Sequence, residues 1–315
     1  MQFDSNVARG RGKIILLGEH AVVYGAPALA VAIERGASAT ARPSLGGISR
    51  LRIPSYGLDT VEEGPCDHGR AFGALVRATK LAASMEVEAD VELPGGGGLG
   101  SSAALGVAVA RALDPHAGPD VIAARVMAWE RVFHGNASGV DAAISARGGC
   151  ILFRRGAAIE PVHLRAALTV CVGYSGAAAS TKAMIESVIR LRERHAGLVD
   201  AAFDAIPALV HRAHDAIRTM DLATLGRLMN ENHEWLARLR LSTPQIERLR
   251  ALAHAQDAFG AKLTGSGGGG CVVALVEGPL HASRVLDAWQ LAGFDAFSAH
   301  ILPPPPVTEI HEVAS

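Results

Sequence analysis

The sequence predicts an α+β protein of two domains, residues 1–165 and 166–315. Three observations carry that expectation. A chain of 315 residues is long enough for two ordinary domains with cores of their own. Strand-like and helix-like segments alternate through the first half, whereas long helical patterns fill most of the second. The pattern changes near residue 165.

Gly12–Leu17 predicts a buried strand, because Ile14 to Leu17 are four consecutive apolar residues. The polar turn Gly18-Glu19-His20 ends it, and Ala28–Ile33 is a second apolar element. Residues 37–65 predict short strands and loops, with Gly46-Gly47 and Pro54 as breaks. Helical spacing runs over Arg70–Ser84, and Val87–Leu93 alternates apolar with acidic residues as a strand does. Ser101–Leu113, Asp120–Phe133 (ending at Gly135) and Ser138–Ala146 predict helices; Ile151–Arg154 and Leu168–Val172 predict strands. The helices of the second half are Thr181–His195, Val199–Met220, Leu222–Arg240 and Pro244–Ala258. Gly267–Gly270 then leads into the apolar strand Cys271–Val276, followed by helix Leu280–Ala292 and strand Ala296–Leu302. Pro303–Pro306 stops regular structure, and the residues after it are expected to be mobile.

Composition narrows the class. Hydrophobic residues make up 49% of the chain, a globular value, and the net charge is −1. Without a basic bias, nucleic acid is not the expected partner. Cys66, Cys150, Cys171 and Cys271 stand far apart with no CxxC pair, which argues against zinc and for free thiols in a reducing compartment. The first residues lack the apolar core of a signal peptide, and the apolar stretch Ala21–Ile33 is short and broken by Gly25 and Pro27. The expectation is a soluble cytoplasmic protein with no membrane segment.

The sharpest local feature is the run Pro94-Gly95-Gly96-Gly97-Gly98-Leu99-Gly100-Ser101-Ser102-Ala103-Ala104, which follows a predicted strand and opens a predicted helix. Glycines allow close backbone approach and unusual dihedrals. Unpaired N–H groups and the dipole at a helix start favour an anion, so the run predicts a phosphate cradle. Ser101 and Ser102 add hydroxyls for phosphate oxygens or magnesium. No GK[ST] follows, so it is not a Walker A loop; it comes too late in the chain, after several elements, for a dinucleotide fingerprint.

The run resembles the phosphate-binding motif of the GHMP kinases, PxxxGLGSSAA. The family's other two motifs are matched in order by GKIILLGEHAVVYG at residues 12–25 and KLTGSGGGGC at residues 262–271. Among GHMP kinases the form GEHAVVYG is most similar to the mevalonate kinases, as are ERVFHGNASGVD at 130–141 and LMNENH at 228–233. The resemblance covers nearly the whole chain. It implies an N-terminal domain like ribosomal protein S5 domain 2, a ferredoxin-like C-terminal domain, and a site between them. The implied activity is ATP-dependent phosphorylation of mevalonate at an alcohol, with Mg2+, and a homodimer is a common assembly in the family.

The resemblance also implies roles. Asp141 is the catalytic aspartate, with Lys13 beside it. Ser102 and Glu130 hold magnesium, which needs only one or two protein oxygens besides phosphate and water. The 94–104 loop holds ATP. Glu19, His20, Ser138, Thr181 and Gly267 lie on the substrate side. Read alone, Glu130 is an ordinary helical carboxylate, Ser138-Gly-Val-Asp141 is a capping-box variant, and Ser180-Thr181-Lys182 is a helix N-cap. His20, Lys182 and Arg147 are candidate cations for the substrate carboxylate. Departures from the family are the GGGGLG form of the loop, Ala137 in place of proline and Ser266 in place of alanine; none removes a functional side chain. The competing readings are a kinase for phosphomevalonate, galactose or homoserine, a decarboxylase of the same fold, and a non-catalytic nucleotide-binding sensor.

Overall fold

The computed structural model describes residues 7–134 and 137–302. Ala8–Leu17 (β1) and Ala28–Pro43 (β2) pair antiparallel, and β2 is the spine of a seven-stranded sheet. One edge of β2 carries β1. Along the other edge lie Met85–Val91 (β5) against its C-terminal half and Cys150–Phe153 (β6) against its N-terminal end. Arg50–Ile53 (β3) adds to β5 in parallel, Leu58–Val61 (β4) to β3, and Glu160–Pro161 (β7) to β6.

The strands alternate between two apolar clusters. Ile14, Leu16, Leu29, Val31 and Ile33 point into the main core, and Ile15, Ala28, Ala30 and Ala32 into a smaller one with Ile144 and Ile151. That two-sided burial explains why the segments read as continuous apolar runs. Helix Ser101–Leu113 (α2) lies on β1 and β2. Asp67–Thr79 (α1), Pro119–His134 (α3) and Val140–Arg147 (α4) pack around it.

A second, four-stranded antiparallel sheet has the order Ala296–Ile301 (β11), Leu168–Tyr174 (β8), Cys271–Val276 (β10), Gly260–Thr264 (β9). Its two central strands are buried on both faces. Val170, Val172, Val273 and Leu275 join the main core; Cys171, Val272, Ala274 and Val276 join a cluster under Pro244–His254 (α8) and Pro279–Leu291 (α9). Thr181–Arg194 (α5), Ala196–Thr219 (α6) and Leu222–Arg238 (α7) complete the second half, and α6 and α7 also touch β1. Thr264 Oγ1 accepts from Ile15 N–H (3.1 Å) and donates to its carbonyl (3.2 Å), tying β9 to β1.

Several expectations are corrected. Residues 37–43 are not a separate short strand but the continuation of β2. The exposed pair Glu34-Arg35 bulges where the register with β1 shifts, so the apolar run breaks while the strand does not. The helix expected to reach Ser84 ends at Thr79, with Lys80 in the left-handed region at φ 56°. The helix expected over Val199–Met220 does form, as Ala196–Thr219, and runs through Pro207. Ser138 does not form a capping box: Gly139 is the N-cap of α4, and Ser138 Oγ accepts from Val140 N–H at 3.3 Å. Gly135, Pro303–Pro306 and the tail lie outside the described residues.

Candidate active site

A cavity of about 330 Å³ opens between the two halves. Three helix N-termini face it: α2 at Gly100–Ser102, α4 at Gly139–Asp141 and α5 at Ser180–Thr181. Their unpaired N–H groups and dipoles make the cavity a place for anions. Gly96, Gly98 and Gly100 all have φ near +70° and line it. Of the predicted phosphate loop, Ser101, Ser102 and Ala103 also line the cavity. Pro94, Gly95, Gly97, Leu99 and Ala104 do not: Leu99 and Ala104 are core residues that seat the loop.

Lys13 of β1 is 3% exposed, and its ammonium stands 3.1 Å from Asp141 Oδ1. The local folding explains the meeting. Lys13 N–H donates to the Leu99 carbonyl at 2.9 Å, which pins the strand to the loop. At Gly100 a Cβ would come within 2.8 Å of Lys13 Cγ, so the missing side chain leaves the lysine its path. Asp141 sits in the first turn of α4, where the helix dipole favours a carboxylate.

Ser102 Oγ donates to Glu130 Oε1 at 2.7 Å, and Trp129 Nε1–H donates to Ser102 Oγ at 3.3 Å. Glu130 is only 3% exposed, and His134 Nε2 lies 3.8 Å from its other oxygen. Burial pushes the Glu130 carboxyl up to about 7 against the Ser102 hydrogen bond; Asp141 adds to the rise and Lys13 opposes it. A buried carboxylate with one hydroxyl partner and a second carboxylate nearby fits a hard divalent cation. Among the described residues there is no cluster of three or more His, Cys, Asp or Glu placed to hold a metal ion.

The substrate-side residues meet less uniformly. His20, Glu19, Ser138 and Thr181 line the cavity. His20 Nε2–H donates to the Ser266 carbonyl at 2.8 Å, and burial lowers the His20 pKa. Gly267 does not line it. A Cβ there would strike the Leu241 carbonyl at 2.5 Å, so this glycine serves a close approach, and Gly265 and Ser266 face the cavity instead. Of the candidate cations, only His20 lines the site; Arg147 pairs with Asp120, and Lys182 is exposed. Sequence reasoning missed Lys262, fully buried and paired with Glu19, and gave no role to Asn232 or His134.

Residues 68–149 match the model "GHMP kinases N terminal domain" and residues 213–295 match "GHMP kinases C terminal". The mevalonate kinase of Pyrococcus horikoshii is 35% identical, over 91% of this chain and 92% of its own. That of Methanothermobacter thermautotrophicus is 34% identical over 86% and 90%. The L. major mevalonate kinase solved with R-mevalonate superposes with TM-score 0.83 at 24% identity, covering 95% of this chain and 97% of that one. The Methanococcus jannaschii mevalonate kinase gives 0.81 at 21%, covering 96% and 100%. Among the described residues no helix is long and apolar enough to cross a membrane. On its ordered motifs, its two-sheet fold and these relatives, the chain belongs to the mevalonate kinase family of the GHMP kinases.

Proposed function

We propose that the protein transfers the γ-phosphoryl group of ATP to the alcohol of (R)-mevalonate, giving 5-phosphomevalonate and ADP. The observation that carries this reading is the Lys13–Asp141 pair, 3.1 Å apart in the same cavity as the α2 N-terminus. The phosphates lie along Gly96–Ser102, where backbone N–H groups donate hydrogen bonds to their oxygens. Ser102 and Glu130 would hold Mg2+, which when bound would neutralise phosphate charge. Asp141 accepts the hydrogen bond of the attacking hydroxyl and takes its proton as the new O–P bond forms. Lys13 offsets the charge of Asp141 in the ground state and of the incoming oxygen later. The substrate lies beside His20, Ser138 and Thr181, with Glu19 supporting the turn.

The test is ADP release from Mg-ATP with mevalonate, phosphomevalonate, galactose and homoserine in parallel. Release with mevalonate well above the other three supports the reading. Release only with another acceptor moves the protein to a different GHMP activity, and none at all favours a nucleotide-binding sensor. A cytoplasmic enzyme of two domains dividing near residue 165, acting without nucleic acid, is part of the same proposal. So is a homodimer, supported by the resemblance alone and read by sedimentation.

A further inference from the structure

Lys262, on β9, is fully buried, and nothing in the phosphoryl-transfer scheme uses it. Its ammonium donates to Glu19 Oε1 and to the Leu263 carbonyl, the latter at 2.6 Å. Glu19 is 1% exposed, and its other oxygen accepts from Asn232 Nδ2 at 3.2 Å. Burying an ion pair this deeply is costly unless something depends on it.

The next residue shows what depends on it. His20 has φ 60° and ψ −51°, and Ala21 N–H donates across it to the Glu19 carbonyl at 2.7 Å. That is a γ-turn of the positive-φ kind, rare and strained for a residue with a side chain. Such a conformation persists only when its surroundings over-determine it. Here the residue before the turn is held by Lys262 and Asn232, and the ring at its apex by the Ser266 carbonyl. The apex ring faces the cavity.

Helix α7 fixes the strand that bears the lysine. Asn230 Oδ1 accepts from Ala261 N–H at 3.0 Å, and His233 Nδ1 accepts from Leu263 N–H at 3.2 Å. Asn230, Asn232 and His233 thus bracket Lys262 on β9, which accounts for the otherwise unexplained segment at 228–233.

We propose that Lys262, with Asn232, is a positioning residue: it anchors Glu19 so that the strained turn at His20 presents its imidazole to the phosphoryl acceptor. The inference rests on the reading of the cavity as a kinase site. It separates acceptor binding from nucleotide binding, because the His20 ring bonds to the Ser266 carbonyl and no hydrogen bond among the described residues joins the turn to the phosphate loop.

The test compares Lys262→Met, the charge-balanced double variant Glu19→Gln/Lys262→Met, and Asn232→Ala, with KM for acceptor and for ATP measured separately and Tm alongside. Lys262→Met leaves a buried carboxylate unpaired, so its Tm falls; the double variant recovers most of that loss. In each folded variant the acceptor KM rises, by at least ~10-fold for the two lysine variants and a few-fold for Asn232→Ala, while the ATP KM stays within ~2-fold. If Lys262→Met does not fold, the other two variants decide. The proposal is overturned if both constants rise together, if neither moves, or if the acceptor KM recovers along with Tm in the double variant. The acceptor used is whichever one the wild-type protein phosphorylates, so a wrong assignment of mevalonate shows in the wild type and leaves this comparison intact.

Discussion

Gly98 of the phosphate loop and Gly265 of the third glycine-rich segment touch backbone to backbone: a Cβ on Gly265 would stand 2.7 Å from the Gly98 Cα. The reverse also holds, since a Cβ on Gly98 would stand 2.5 Å from the Thr264 carbonyl oxygen. Gly96 faces Ala178 and Gly269 faces Ala177 as closely. Gly265, with Gly270, whose Cβ would stand 3.0 Å from the Gly97 carbonyl oxygen, therefore seats the phosphate loop of the first half against the second.

Gly265→Ala should lose stability from two sources, its φ of +85° and the clash with Gly98. Gly25 offers the control, with φ +89° and open space around its Cβ position. Urea unfolding should show Gly25→Ala costing about 1 kcal/mol and Gly265→Ala a further ~1–3 kcal/mol. ATP affinity should fall only for Gly265→Ala. Equal losses at both positions would remove the interlock from the account.

Glu130 supplies a pH dependence. Burial holds its carboxyl up at about 7, so below that pH in the metal-free protein it is protonated and unable to ligate. Calorimetric Mg-ATP affinity should be about tenfold weaker at pH 6 than at pH 8, beyond the change in Glu130→Gln. The comparison with the variant cancels the titration of the nucleotide itself. A parallel pH dependence in both proteins would exclude Glu130 as the metal ligand.

His233 sets a stability window. Its ring is buried, Nδ1 accepts from Leu263 N–H, and Nε2–H donates to Glu247 at 2.8 Å, so it is neutral in the fold. Burial, with Arg250 and Lys262 nearby, lowers its pKa from 6.5 to about 4, against the opposing pull of Glu247. The unfolded chain therefore takes up the proton first. The stabilisation is complete above pH 6.5 and is lost as pH falls toward 4, by on the order of 2–3 kcal/mol. Thermal melts of His233→Gln should lack this decline between those pH values; an unchanged slope would mean the ring does not titrate there.

How much of this was legible in the sequence depends on the kind of signal. Ile14–Leu17 and Cys271–Val276 read as strands because both faces are buried and no polar residue interrupts them. The full length of β2 was hidden by Glu34-Arg35, whose bulge puts two charged side chains in solvent within one continuous strand. Ser101 and Ser102 were found because a glycine run before a helix states its own chemistry. Lys262 was not, since a lone lysine in a strand carries no mark of burial; its counter-charge, Glu19, lies 243 positions away. For the same reason Gly267 was placed on the substrate, although Leu241 is what it makes room for.

The most direct test of the central claim is Asp141→Ala, assayed for steady-state turnover of mevalonate and, in the same preparation, for Mg-ATP affinity. The account predicts turnover lower by ~10²–10⁴-fold, with nucleotide affinity within a few-fold of wild type. Turnover near the wild-type rate would show that the Lys13–Asp141 pair does not carry the chemistry.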